Sequence, residues 1–501
     1  MSTASQPRSK RLKPLLIGGE WIPNTPDRLT SINPATGEIN FEVCAAGEAQ
    51  VDAAVSAASR AFAAPAWREM LPHRRAQLLS RIAEIIRSRA DELARLQMLE
   101  NGKVWAECKA QAAAAAAVFQ YYAAACETLG SEVVPPRGNY LSMTVYEPYG
   151  VVAAITPWNS PITIEAQKAA PILAVGNAMV LKPSEVTPSG ALELGRIALE
   201  AGVPPGILNV LPGGPDTACA LLSHSGVRMV TFTGGTASGR SIARAAADRL
   251  IPAILELGGK SPHIVFADAS LDAAVDAVLV GIFEGTGQSC IAGSRLFVER
   301  RVLDLVLSLL LERTRALRVD LPDAPGAQMG PLATFAHRDH VESMVDTARK
   351  EGGHIAIGGA RPSARHLARG AFYLPTIVTG LDNRATIAQQ EIFGPVLCVL
   401  PFDGEEDLME QANDSVYGLA AGIWTADYQR AWRLARALEA GTVWINTYKQ
   451  ASIAAPFGGF KQSGIGREKG LSGLRAYQQM KSVYWGMSPT FEGGFALKTN
   501  K

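Results

Sequence analysis

Apolar residues recur at three- and four-residue spacing over 48–64 and 72–103, and this spacing predicts amphipathic helices in both stretches. The run AQAAAAAAVFQYYAAAC (110–126) is uncharged, with two Gln among the alanines, and reads as a tightly packed helix rather than a membrane span. YLSMTVYEPYG (140–150) is rich in β-formers and reads as extended. From Val151 the pattern changes to short, continuously apolar runs. GVVAAI, AMVLK (178–182), ILNVL (207–211) and MVTFT (229–233) each lead into a loop rich in Gly, Pro or Ser. Helical spacing follows several of them, to Val175, from Ala191 and across 236–247, and IPAILELGGKSPHIVF (251–266) adds two more extended pieces. This alternation predicts an α/β fold with a Rossmann-like parallel sheet covered by helices. Ligands of such sheets bind beyond the carboxyl ends of the strands. A helix over 271–286 is expected to lead towards Cys290, and HRDH (337–340) reads as a solvated helix start.

Composition narrows the classes. The 501 residues suggest two or three domains, and 48 basic against 47 acidic residues leave a net charge of +1. No basic excess points to nucleic acid. The six cysteines form no C-x-x-C, no His/Cys group has metal-binding spacing, and scattered thiols fit a reducing compartment. The basic N-terminus carries only PLLI as an apolar run, too short for a signal-peptide core, so a cytoplasmic protein without membrane attachment is expected.

Several loops carry candidate chemistry. EGTGQSCIAGSR (284–295) places Cys290 among small residues, as if presented to something. FTGGTASGR (232–240) could bring backbone N–H groups and a helix start to a phosphate, although it lacks the G-x-G-x-x-G spacing and also fits an ordinary tight turn. LKPSE (181–185) sets Lys182 and Glu185 at a strand end, where Glu185 would bond a ribose 2′-hydroxyl and repel a 2′-phosphate. Glu256 in ELGGKSP could serve as a base, and Asn159 in TPWNSP could donate to an oxyanion. Taken singly, the last two read as a strand-end acid and a turn residue.

Together, and in chain order, PWN, KPSE, FTGG, ELGGKSP, GQSC, EIFGP and PFGG-F-K-x-S-G-x-G-R-E resemble the NAD(P)-dependent aldehyde dehydrogenase superfamily from about residue 15 to about residue 490. The resemblance implies an aldehyde dehydrogenase fold. Its parts would be a dinucleotide-binding domain (14–128 and 149–258), an α/β catalytic domain (259–474) and a small β oligomerisation arm (129–148 and 475–497). It implies Cys290 as nucleophile, Asn159 as oxyanion donor and Glu256 as the base that activates hydrolytic water, with Lys168 and Glu468 on a proton path. The implied cofactor is NAD in preference to NADP. Its contacts would be Thr156, Pro157, Trp158, Lys182, Ser184, Glu185, Gly214, Phe232, Thr233, Gly234, Gly235, Gly239, Leu257, Glu391 and Phe393. The glycines 234, 235 and 239 would line the pyrophosphate, and Gly235 stands where many members have Ser. A homodimer or homotetramer is expected, with no metal.

The pocket positions Ser160, Ile164, Gln167, Ile291, Ala451 and Phe457, with Ile453 nearby, are smaller and more polar than an aromatic-lined tunnel, which suggests a bulky, cyclic or polar aldehyde. A quaternary-ammonium aldehyde would want an aromatic cage, which Ser160 and Gln167 do not supply. A semialdehyde would want a basic clamp, and Lys449 is the nearest candidate. A CoA-acylating enzyme would dispense with Glu256. A purely structural protein would not need the full set.

Overall fold

The computed structural model describes residues 12–488. Its first sheet has five parallel strands at its centre: Ala253–Glu256, Val227–Thr233, Val151–Ile155, Ala178–Lys182 and Leu208–Val210. Leu15–Ile17 and Glu20–Ile22 extend one edge antiparallel, and Gly464–Ile465 caps the other. The chain builds outward from Val151–Ile155 in one direction, then returns to its other side with Val227–Thr233. The order therefore reverses between these two neighbours, and a crevice opens there at the carboxyl ends. Val151–Ile155 and Ala178–Lys182 are buried throughout, which explains their unbroken apolar sequence.

The second sheet runs His354–Ile357, Thr376–Thr379, Val396–Phe402, Arg295–Glu299, Pro262–Val265, Ala420–Trp424 and Thr442–Ile445, parallel except at the His354–Ile357 edge. The expected boundary at 258/259 falls in the gap between Ala253–Glu256 and Pro262–Val265, which enter different sheets. A third, antiparallel sheet pairs Tyr140–Pro148 with Gln478–Gly486 on one side and Glu132–Val134 on the other. The expected arm continues beyond residue 488, outside the described residues.

Three expectations change. Residues 12–44 carry five short strands where the first third reads as largely helical. The helix expected over 72–103 is two, Pro72–Ser88 and Ala90–Asn101, broken at Arg89, whose backbone leaves the helical region. The helix before Cys290 covers only Leu271–Phe283. Among the described residues, no helix is long and apolar enough to cross a membrane.

Arg295 ties the second sheet to its surrounding loops. Fully buried, it donates to the carbonyls of Lys260, Gln411 and Ala412 (2.8–3.1 Å) and to Asn383 Oδ1 (2.9 Å). Arg295→Met fills similar volume but strands these acceptors. It should lower the thermal unfolding midpoint by about 5–10 °C at a fixed scan rate, read by differential scanning calorimetry.

Candidate active site

A helix should lead to the cysteine loop, but after Phe283 the backbone turns left-handed at Gly285, Thr286 and Gly287 (φ 67°, 59° and 71°). Four contacts pin this turn. Gly285 N donates to Glu107 Oε1 (2.8 Å), and Thr286 Oγ1 donates to the Gly330 carbonyl (3.1 Å). Gln288 Nε2 donates to the Gly285 carbonyl (3.1 Å), and Ala333 N donates to Gln288 Oε1 (2.8 Å). At Gly287 a Cβ would lie 2.1 Å from the Gly394 carbonyl oxygen. Glycine is thus demanded here by backbone shape and close approach, not only by openness around the thiol.

The turn delivers Cys290, half-buried, to a cavity of about 240 Å³ at the crevice of the first sheet. Asn159, Glu256, Pro157, Trp158, Thr233, Gly234, Gly235, Leu257, Glu391 and Phe393 also line it, with Ile164. Asn159 follows the strand Val151–Ile155, and its Nδ2 donates to the Gln288 carbonyl (3.0 Å), which fixes the amide beside the cysteine loop. Glu256 ends the strand Ala253–Glu256, two places away across Val227–Thr233, and is buried with neither carboxylate oxygen hydrogen-bonded. Burial first, then the charge of Glu468, hold it well above the usual carboxylate range, against the pull of Lys168. Lys168 Nζ donates to Glu468 Oε1 (2.5 Å) and to Thr231 Oγ1 (2.9 Å), and Tyr477 OH donates to the same hydroxyl (3.1 Å).

The thiol is kept neutral. Burial, then Glu391 and Glu256, push Cys290 up to about 12, and only Lys469 among the charged side chains opposes them. Glu391 takes its place by accepting from Gly259 N (3.0 Å), over Gly258, where its carboxylate fills the space a Cβ would need. Burial raises this carboxyl to about 7.

The dinucleotide residues divide. Thr156 and Thr233 have buried hydroxyls without partners, and Gly235, at the start of the helix Thr236–Asp248, faces open space. Gly214 also opens a helix and faces open space. A Cβ at Gly234 would meet the Phe232 ring at 2.4 Å. At Gly239 a Cβ would lie 2.4 Å from Leu257 Cδ2, so its bareness lets the helix pack on that residue. Lys182, Ser184 and Glu185 sit together at a strand end. Glu185 is exposed, 3.7 Å from Lys182 Nζ, and Ser184 Oγ accepts from Val186 N (3.2 Å).

The expected pocket residues are more dispersed. Ser160 Oγ accepts from Gln111 Nε2 (3.1 Å), and Gln167 is half-buried. Ile291 packs with Ala420, Trp444 and Tyr448, Ala451 is exposed, and Ile453 is half-buried. Phe457 lies under the Lys469 ammonium, 4.6 Å from ring centroid to Nζ. Lys449 donates to the Val280 carbonyl (2.9 Å) and pairs with Glu284 (3.3 Å).

Two lining or neighbouring groups were not anticipated. His337, expected to be solvated, is half-buried at the cavity wall, edge-on to Trp158 (5.3 Å between ring centroids). Its Nε2–H donates to the Phe393 carbonyl (2.7 Å), and burial holds the imidazole below its ordinary value. Its sequence signal was the buried side of an N-terminal helical turn capped by Thr334. The other is Lys469, whose signal was a charge directly after Glu468.

Comparison with known proteins places this arrangement. The Aldehyde dehydrogenase family profile matches residues 21–483. The chain belongs to the aldehyde dehydrogenase family. This aldehyde dehydrogenase is 42% identical over 474 residues to a betaine aldehyde dehydrogenase of Sinorhizobium fredii, covering 94% of this chain and 96% of the relative. A betaine aldehyde dehydrogenase of Staphylococcus aureus, solved with NAD+, superposes with a TM-score of 0.94 at 37% identity, over 97% of this chain and 96% of the other. An aldehyde dehydrogenase of Bacillus cereus, also solved with NAD+, gives 0.93 at 38% identity, over 97% and 99%.

In this aldehyde dehydrogenase the Glu391 charge opposes ionisation of the thiol. Glu391→Gln should therefore raise the alkylation rate of Cys290 by iodoacetamide at pH 8 severalfold, measured by mass spectrometry of the Cys290 peptide.

Proposed function

We propose that this protein oxidises an aldehyde to a carboxylic acid with NAD, through a covalent intermediate on Cys290. The observation that carries the reading is the meeting of Cys290, Asn159 and Glu256 around one cavity at the sheet's crevice. The residues present fit a dinucleotide: unpartnered Thr156 and Thr233 hydroxyls, the open face of Gly235 and the carboxyl-end crevice supply donors and room. Lys182 and Glu185 would hold the adenosine ribose, with Glu185 favouring NAD over NADP, and Glu391 and Phe393 the nicotinamide side. Both solved relatives named above contain NAD+.

The chain's own residues do the rest. Cys290 Sγ, once deprotonated, adds to the carbonyl carbon, and Asn159 Nδ2 with the Cys290 N–H steadies the oxygen that gains charge. When bound, NAD would supply the hydride acceptor that oxidation of this adduct to a thioester on Cys290 needs. Glu256 takes a proton from water as that water attacks the thioester carbon, and Cys290 leaves as the thiolate. Because burial favours the protonated form of Glu256, the carboxyl must first lose its proton, and we assign the Lys168–Glu468 pair to that path. Glu256 also distinguishes this chemistry from acyl transfer to CoA.

Residues 14–128 with 149–258 would form the NAD-binding domain and 259–474 the catalytic domain. The arm of 129–148 and 475–497 exposes Val133, Met480, Tyr484 and Trp485, apolar surface suited to joining subunits in a dimer or tetramer. For the substrate, the small or polar residues Ser160 and Gln167 support a bulky, cyclic or polar aldehyde. Betaine aldehyde, in the name of two relatives, carries a trimethylammonium group, for which Ser160 and Gln167 offer no ring. Lys449 is already engaged by Glu284, so it does not supply a carboxylate clamp.

Cys290→Ser should abolish aldehyde-dependent NADH formation. Glu256→Gln should leave a burst of about one NADH per subunit followed by turnover slowed roughly 10²–10⁴-fold, seen by stopped-flow absorbance at 340 nm. Wild-type steady-state turnover in either variant would overturn the mechanism.

A further inference from the structure

We infer that Lys469 is a specificity-determining residue, and that the aldehyde it selects carries a carboxylate remote from the reacting carbon. This rests on the aldehyde oxidation proposed above and narrows its substrate class.

Lys469 lies in the turn between Gly464–Ile465 and the helix Gly470–Arg475. Its backbone (φ 60°, ψ 169°) is in a region that residues other than glycine rarely occupy, and such strain persists only where the surroundings impose it. Here they do. Phe457 and Glu468 exchange two backbone hydrogen bonds (2.7 and 2.8 Å), and Gly470 N donates to the Ile453 carbonyl (2.8 Å). The turn is thereby fastened to the 453–457 loop, and the lysine side chain lies across the Phe457 ring, with its ammonium 4.6 Å from the ring centroid.

Four other lysines of the region are ion-paired. Lys168 is paired with Glu468, Lys449 with Glu284, Lys103 with Glu107 and Lys182 with Glu185. Among the described residues, no Asp or Glu oxygen lies within 4.0 Å of Lys469 Nζ. The groups it faces are Glu468, the Cys290 thiol and Glu256, and burial lowers its own proton affinity. The turn backs onto the site, since a Cβ at Gly458, next to Phe457, would lie 2.9 Å from Glu256 Oε1. A half-buried ammonium beside that carboxyl, over an apolar ring and without an ion-pair partner, is completed by an anion that the substrate brings. The same cation repels a quaternary ammonium, which separates this site from one for betaine aldehyde.

The test is NADH formation by the full-length enzyme with succinic, glutaric and adipic semialdehydes, with butanal, pentanal and hexanal of matched length, and with betaine aldehyde. The wild type should favour at least one semialdehyde over its matched alkanal. Lys469→Leu should cut that kcat/KM ratio about ten- to a hundredfold, mainly through the KM of the semialdehyde. Lys469→Gly, which suits the backbone, should cut it equally, and Lys469→Arg should retain it. The inference is overturned by an unchanged ratio, by an equal fall for charged and uncharged aldehydes, or by a wild-type preference for betaine aldehyde. If the wild type reduces NAD with none of these aldehydes, nor with benzaldehyde or cyclohexanecarbaldehyde, the oxidation reading itself fails, a different result from oxidation without discrimination.

Discussion

Gly287 lies so close to the carbonyl of Gly394 that no side chain fits between them. That contact joins two loops far apart in sequence, the one that carries Cys290 and the one that carries Glu391 and Phe393. The left-handed run from Gly285 to Gly287 makes the approach possible, and Gln288 locks its far end to Ala333. Everything that follows in the site depends on this junction, because it sets the thiol against the crevice of the first sheet. A helix running straight to Cys290 would not make this approach.

The electrostatics of the cavity is that of a resting enzyme. Two carboxyl groups, Glu256 and Glu391, face a thiol in a largely desolvated space, and burial makes all three hold their protons to higher pH than usual. Glu391 is held by one backbone N–H and fills the space over Gly258 that a Cβ would need. Glu256 is the more isolated, with no hydrogen bond of its own and the Lys168–Glu468 pair behind it. Chemistry at such a centre requires that protons leave before bonds form. The positive charge of Lys469 is the local counterweight.

Side-chain identity and the succession of strands, loops and helices along the chain were legible in the amino-acid sequence because both are local. Unbroken apolar runs such as VVAAI and AMVLK announce buried parallel strands, and loops after them announce the crevice. Cys290, Glu256 and Asn159 were legible as an ordered set of motifs, and all three line the cavity. Legibility failed where a residue's role depends on what lies across from it. His337 reads as solvated but lines the cavity wall, and the packing of Gly239 on Leu257 is visible only once the helix is placed.

The sequence by itself determined the α/β class, the chemistry-bearing residues and the family resemblance, since these reside in residue type and spacing. Tertiary structure alone decided the rest. It set which protons are favoured, because desolvation is a property of the folded interior. It ended the helix before Cys290 at Phe283 and turned the chain so that Gly287 meets the Gly394 carbonyl, 107 residues beyond Gly287. It also left Lys469 without a carboxylate, because pairing depends on three-dimensional proximity rather than on neighbours in the chain.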